Sequence, residues 1–184
     1  MKLFGDKNTF AISYRADKKY VAGKQHAFPF CHFILDNKLI GIKREPCFLG
    51  TWASSLLYLR DKISIKKDCL VEPEFEGLSD LEIFEIIDKT NQLEDEFKNR
   101  YTHLPKLQDD VWYKYRVCMD ETIDGFSVNI IESNGMLKFL WRDNSMENEN
   151  LGIALTSHEQ FIKAINDCLD YLIEAYPSVI GNLK

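Results

Sequence analysis

With 184 residues, 45% hydrophobic and 28% charged, the chain has ordinary globular composition, which excludes a disordered, collagen-like or low-complexity protein. A chain of this length buries some 70% of its unfolded surface, enough for one core without disulfides. The net charge of −6 hides a split, because residues 1–67 carry +8 and the remainder −14.

No apolar run approaches the roughly 20 residues of a membrane span. Met1-Lys2 leads into Gly5-Asp6 without an apolar stretch, so no secretory leader is expected and the compartment is expected to be the cytoplasm.

The first predicted strand is residues 10–14, after a turn at Gly5-Asp6-Lys7-Asn8. Residues 26–35 and 38–43 follow as two strands joined at Asp36-Asn37, a hairpin signal. Pro29 donates no ladder hydrogen bond, which places it at an edge or a bulge. Trp52, Leu56, Leu59 and Ile63 recur at helical spacing and predict a first helix over 49–63.

Ser79-Asp80-Leu81-Glu82 is a capping box that opens a second helix. Its core stripe runs through Ile83, Ile86, Ile87, Thr90, Leu93, Phe97 and Tyr101, and Leu104-Pro105 ends it. Glu82, Glu85, Asp88 and the acidic residues beyond fall on the opposite face, which is expected to meet water or a partner.

Strands are predicted over 111–119, 126–131 and 136–141, the last two joined by Asn134-Gly135, the strongest hairpin signal in the chain. Residues 151–155 add another strand. Thr156-Ser157-His158-Glu159 opens the last helix, whose buried stripe is Phe161, Ile162, Ile165, Cys168, Leu169, Leu172 and Tyr176, and Pro177 stops it. Hairpin-linked strands mean an antiparallel sheet. The expectation is a single α+β domain over 1–184, with five to six strands and three helices mainly on one face.

Sites for chemistry are sparse. There is no dinucleotide, Walker A or nucleophile-elbow motif. Asp120 to Gly125 imitates the start of a calcium loop, but its twelfth position is Ile131 where a bidentate glutamate belongs. His26 and His32 lie about 20 Å apart on a continuous strand, too far to share a metal. His158-Glu159 lacks a second helical histidine. Cys31, Cys47, Cys69, Cys118 and Cys168 form no C-x-x-C pair and read as free, buried thiols. No cofactor, no metal and no catalytic activity are expected. A hydrolytic or metal-dependent enzyme built from His103, Asp109, Asp110 and Glu121 is the main alternative, and an adaptor self-associating at a sheet edge near Pro29 a third.

The acidic charge is concentrated, with eleven carboxylates and one lysine between residues 68 and 96. That field repels nucleic acid and anionic membranes, so neither is an expected partner, and it attracts a cationic one.

The opening Phe4-Gly5-Asp6-Lys7-Asn8-Thr9-Phe10-Ala11-Ile12, the aromatic strand and Ile34-Leu35-Asp36-Asn37-Lys38-Leu39-Ile40-Gly41 together resemble the immunity protein 42 family of bacterial polymorphic-toxin and contact-dependent inhibition systems. The resemblance implies a cytoplasmic antidote that binds a cognate toxin without catalysis, the toxin being the C-terminal domain of a large secreted protein. The family supplies no functional residues to transfer. The acidic segment favours a basic toxin such as a nuclease, blocked at its active site through Glu72, Glu74, Glu76, Glu82, Glu85 and Asp88. The oligomeric state is open.

Overall fold

The computed structural model describes residues 1–16, 28–65, 70, 72–89, 114–119, 121–145 and 150–180. Among them, seven strands and four helices make two antiparallel sheets in an α+β arrangement. The first sheet has the order β1 (Lys2–Gly5), β2 (Phe10–Arg15), β3 (Phe30–Leu35), β4 (Lys38–Ile40), each strand beside its sequence neighbour. The second has β5 (Phe126–Ser133), β6 (Met136–Asp143) and β7 (Gly152–Thr156). The expected single sheet is therefore divided in two. Strand β1 is an addition, held by Lys2 opposite Tyr14 and Phe4 opposite Ile12.

Both anticipated hairpin turns form, and the backbone shows why those residues are there. Asp36 and Asn37 take φ of 45° and 61°, and Asn134 and Gly135 take 53° and 75°. Two successive positive φ values are the type I′ geometry that matches strand twist. Pro29 stands just before β3, and its carbonyl accepts from the Cys47 amide.

Helix α1 (Leu49–Ile65) buries Trp52, Leu56, Leu59 and Ile63, the expected stripe. Helix α3 (His158–Ala175) buries Phe161, Ala164, Ile165, Cys168, Leu169 and Leu172. Its cap sits at Ser157, whose hydroxyl accepts from the Gln160 amide at 3.1 Å while Gln160 answers the Ser157 amide, so His158 is the first helical residue. A single further turn, α4 (Pro177–Ile180), follows.

Phe10 is where these parts meet. Its ring lies 4.6 Å from Phe161 of α3, 5.4 Å from Phe33 of β3 and 5.4 Å from Phe139 of β6, the last stacked within 6°. Burying such a ring is worth roughly 1.5–3 kcal/mol by area and up to ~1.5 more per well-oriented aromatic pair. One aromatic cluster thus fastens the first sheet, the second sheet and the C-terminal helix. Tyr14 continues it, its hydroxyl contacting that of Tyr176; burial first, then this contact, raises the Tyr14 pKa far above the ordinary phenol value. Strand β7 closes against β6 at Gly152, where an added Cβ would come within 2.0 Å of the Trp141 ring.

Helix α2 (Asp80–Lys89) occupies a different place. Along β6, Leu137, Phe139 and Trp141 face the shared core, while Lys138 and Arg142, alternating with them, pair with Asp80 and Glu85 of α2. The helix therefore covers the outer face of the second sheet. Leu140 and Ile131 on that face are buried, so the sheet is apolar on both sides and needs a cover on each.

Of the cysteines, Cys31, Cys47 and Cys168 are buried as anticipated, and burial, ahead of the neighbouring Cys47, pushes the Cys168 thiol up to about 12. Cys118 is exposed instead, because residues 114–119 form only an isolated bridge at Arg116, opposite Asn129, where a full strand was expected. Cys69, His26, Trp112 and Tyr113, and the expected continuation of the second helix past Lys89, lie outside the described residues.

Candidate partner-binding site

The acidic segment begins with a 3-10 turn over Pro73–Phe75, runs through Gly77 at φ 79°, and enters α2 at Ser79. The Glu82 carboxylate accepts from the Ser79 amide at 2.8 Å and its hydroxyl at 2.7 Å, and the Glu82 amide donates back to that hydroxyl at 3.3 Å. This reciprocal cap fixes the helix start.

Much of the segment's charge is spent within the fold. Glu72 contacts Lys114 and accepts from the Tyr115 hydroxyl at 2.7 Å. Burial raises the Glu72 carboxyl, but the Lys114 and Tyr115 hydrogen bonds outweigh it, leaving the pKa below the ordinary carboxylate value. Asp80 pairs with Lys138 at 2.8 Å, Glu85 with Arg142 at 3.2 Å, and Asp88 with Arg116. Each cation comes from β6 or the 114–116 segment, so a file of basic residues meets a file of acidic ones under α2.

That arrangement corrects the expected orientation of the helix. Ile83, Phe84, Glu85, Ile86 and Ile87 are all buried, five successive residues that turn more than once around the axis. The Arg142 guanidinium lies 5.0 Å from the Phe84 ring centroid while reaching Glu85. Glu85, only 9% exposed, does not face open water, and Asp88 is half-buried. Glu82 is half-buried in its cap, whereas Glu76 is exposed, with no side-chain hydrogen bond or ion pair among the described residues. Glu74 lies within the 3-10 turn. The signal for these pairs was present in the sequence as Lys114 and Arg116 two apart and Lys138 and Arg142 four apart, each set on one face of an extended chain.

Between the 3-10 turn, the start of α2 and the β5–β6 hairpin lies an open cleft of about 700 Å³. Phe75, Leu78, Ile83 and Ile131 supply apolar surface, and Glu72, Glu76 and Asp80 supply carboxylates against Lys138. Glu132, which also borders the cleft, turns its side chain to the core face of the sheet, where it contacts Nε2 of His158, the first residue of α3. No group of histidine, cysteine or carboxylate side chains able to hold a metal occurs among the described residues. No helix among them is long and apolar enough to cross a membrane. His103, Asp109 and Asp110 lie outside the described residues, and Glu121 opens a 3-10 turn over Glu121–Ile123.

The two-sheet α+β fold is shared with a solved structure, CdiI from Burkholderia dolosa AUO158, at a TM-score of 0.66 and 17% identity, covering 92% of this chain and 99% of that one. Among curated proteins, none matches significantly. The class is that of the immunity proteins. The chain belongs to the immunity protein 42 family, whose match spans residues 1–171.

Proposed function

We propose that this protein is the cytoplasmic, non-catalytic antidote to a toxin domain delivered by contact-dependent inhibition, and that it binds the toxin through the acidic surface around residues 72–88. The toxin, the C-terminal domain of a large secreted protein, is a basic nuclease whose phosphate-holding cleft the antidote covers. Family membership supports the antidote role. The carrying observation for a basic partner is the concentration of eleven carboxylates in residues 68–96, with Glu76 exposed and unspent. A nuclease cleft must be electropositive to hold its substrate, and an anionic protein surface competes for it with fast, salt-sensitive association.

Within the six carboxylates on which this surface is drawn, the work divides. Glu72, Glu76 and Glu82 border accessible surface and meet the toxin, with Glu74 beside them in the same turn. Glu85 and Asp88 act from behind, holding α2 on the sheet through Arg142 and Arg116. The test is co-expression with the toxin domain encoded beside this chain. Cells survive with the intact chain, purified toxin degrades nucleic acid, and equimolar antidote stops it. Survival that persists without a complex, or a toxin with no nuclease activity, overturns the antidote or the nuclease part respectively.

A further inference from the structure

Taking the antidote role above as given, we propose that the cleft between the 3-10 turn, α2 and the β5–β6 hairpin is the seat for a lysine- or arginine-bearing loop of the toxin. The shape carries this more than the charge does. Its lining joins apolar surface, from Phe75, Leu78 and Ile83 of the acidic segment and Ile131 of the sheet, to the carboxylates of Glu72, Glu76 and Asp80. A purely solvated acidic patch has no such floor. A purely apolar ligand covering the cleft would leave the Glu76 carboxylate desolvated and unpaired, a costly state for a charge. A long basic side chain satisfies both parts, laying its methylene stem on the floor and its charged head at the rim.

The ion pairs already present decide which carboxylate receives that head. Asp80 is held by Lys138, and Glu72 by Lys114 and Tyr115. Glu76 stands at the mouth, exposed and without such a partner among the described residues. The intramolecular pairs keep the other carboxylates in fixed positions, so the cleft is preformed and little side-chain ordering remains for binding. With about 700 Å³, it admits a turn of peptide around the basic residue as well as the side chain itself.

The experiment measures affinity for the catalytically inactivated toxin domain encoded beside this chain, using the full chain. Glu76→Lys reverses charge at the mouth, Leu78→Lys places a cation on the apolar wall, and Glu174→Lys makes the same charge change on the exposed face of α3, across the sheet. Glu76→Lys and Leu78→Lys are each expected to weaken binding at least tenfold, and Glu174→Lys less than twofold. If the unaltered chain binds while both cleft variants stay within twofold of it, the cleft is not the seat and the antidote role stands. Equal losses in all three variants mean net charge alone, which also overturns the seat. An unaltered chain that fails to bind overturns the antidote role and the seat together.

Discussion

Lys138 in β6 donates to Asp80 in the first turn of α2 across 2.8 Å, fastening the helix to the outer face of the second sheet at the lip of the cleft. Asp80 is also placed where the helix dipole favours an anion. Both side chains are partly exposed, so their coupling is modest, about 0.5–1 kcal/mol. A double-mutant cycle with Asp80→Ala and Lys138→Ala, read by denaturant unfolding, is expected to return that value.

The deeper pair behaves differently. Removing the Arg142 guanidinium leaves the Glu85 carboxylate at 9% exposure without its ion-pair partner and strips the cation from the Phe84 ring. Arg142→Ala is expected to lower stability by about 1–3 kcal/mol. Glu85→Gln, which keeps the shape, should leave toxin affinity within about threefold once unfolded protein is discounted.

At the centre of the shared core, Phe10→Ala removes the ring that touches Phe33, Phe139 and Phe161. The expected loss is about 3–5 kcal/mol, seen as a shifted denaturation midpoint with an unchanged slope.

Gly152→Ala places a methyl group within 2.0 Å of the Trp141 ring, which is itself buried. Strand β7 or the indole must move, at a cost of about 1–3 kcal/mol. Trp141 fluorescence in the folded state should change with the substitution.

The fold was legible where local chemistry and tertiary structure agree. Asp36-Asn37 and Asn134-Gly135 are turns because few residue pairs tolerate two positive φ values, and the Trp52-to-Ile63 stripe of α1 has a single buried side. Strand β1 is not legible in the sequence, because Lys2, Leu3 and Phe4 carry no pattern of their own and are ordered by pairing with β2. Helix α2 departs from its sequence periodicity for a physical reason. Periodicity assumes water on one side, whereas α2 is buried around most of its circumference and answers Glu85 and Asp88 with arginines distant in sequence. The spacing of those cations is visible in the sequence, but which carboxylate each one meets follows only once the strands are placed. The cleft, too, is made by segments more than forty residues apart, so its acidic half could be named from the sequence and its apolar floor could not.

The Glu72 carboxyl gives a pH dependence with a definite sign. Its folded pKa lies below the ordinary value because the hydrogen bonds from Lys114 and Tyr115 outweigh the opposing effect of burial. The unfolded chain therefore binds the proton more tightly, and stability from this group is fully present above the ordinary carboxylate pKa. It is lost as pH falls through that value and down through the folded one. Glu72→Gln is expected to flatten the acid limb of the stability profile while leaving its alkaline limb unchanged.

The most direct measurement is the association rate between this chain and its neighbouring toxin domain, followed by stopped flow from 50 mM to 500 mM salt. An anionic antidote docking on a cationic toxin predicts a rate that falls at least tenfold across that range, with the steepness reduced by Glu76→Lys. A rate indifferent to salt, with the complex still forming, contradicts the electrostatic account.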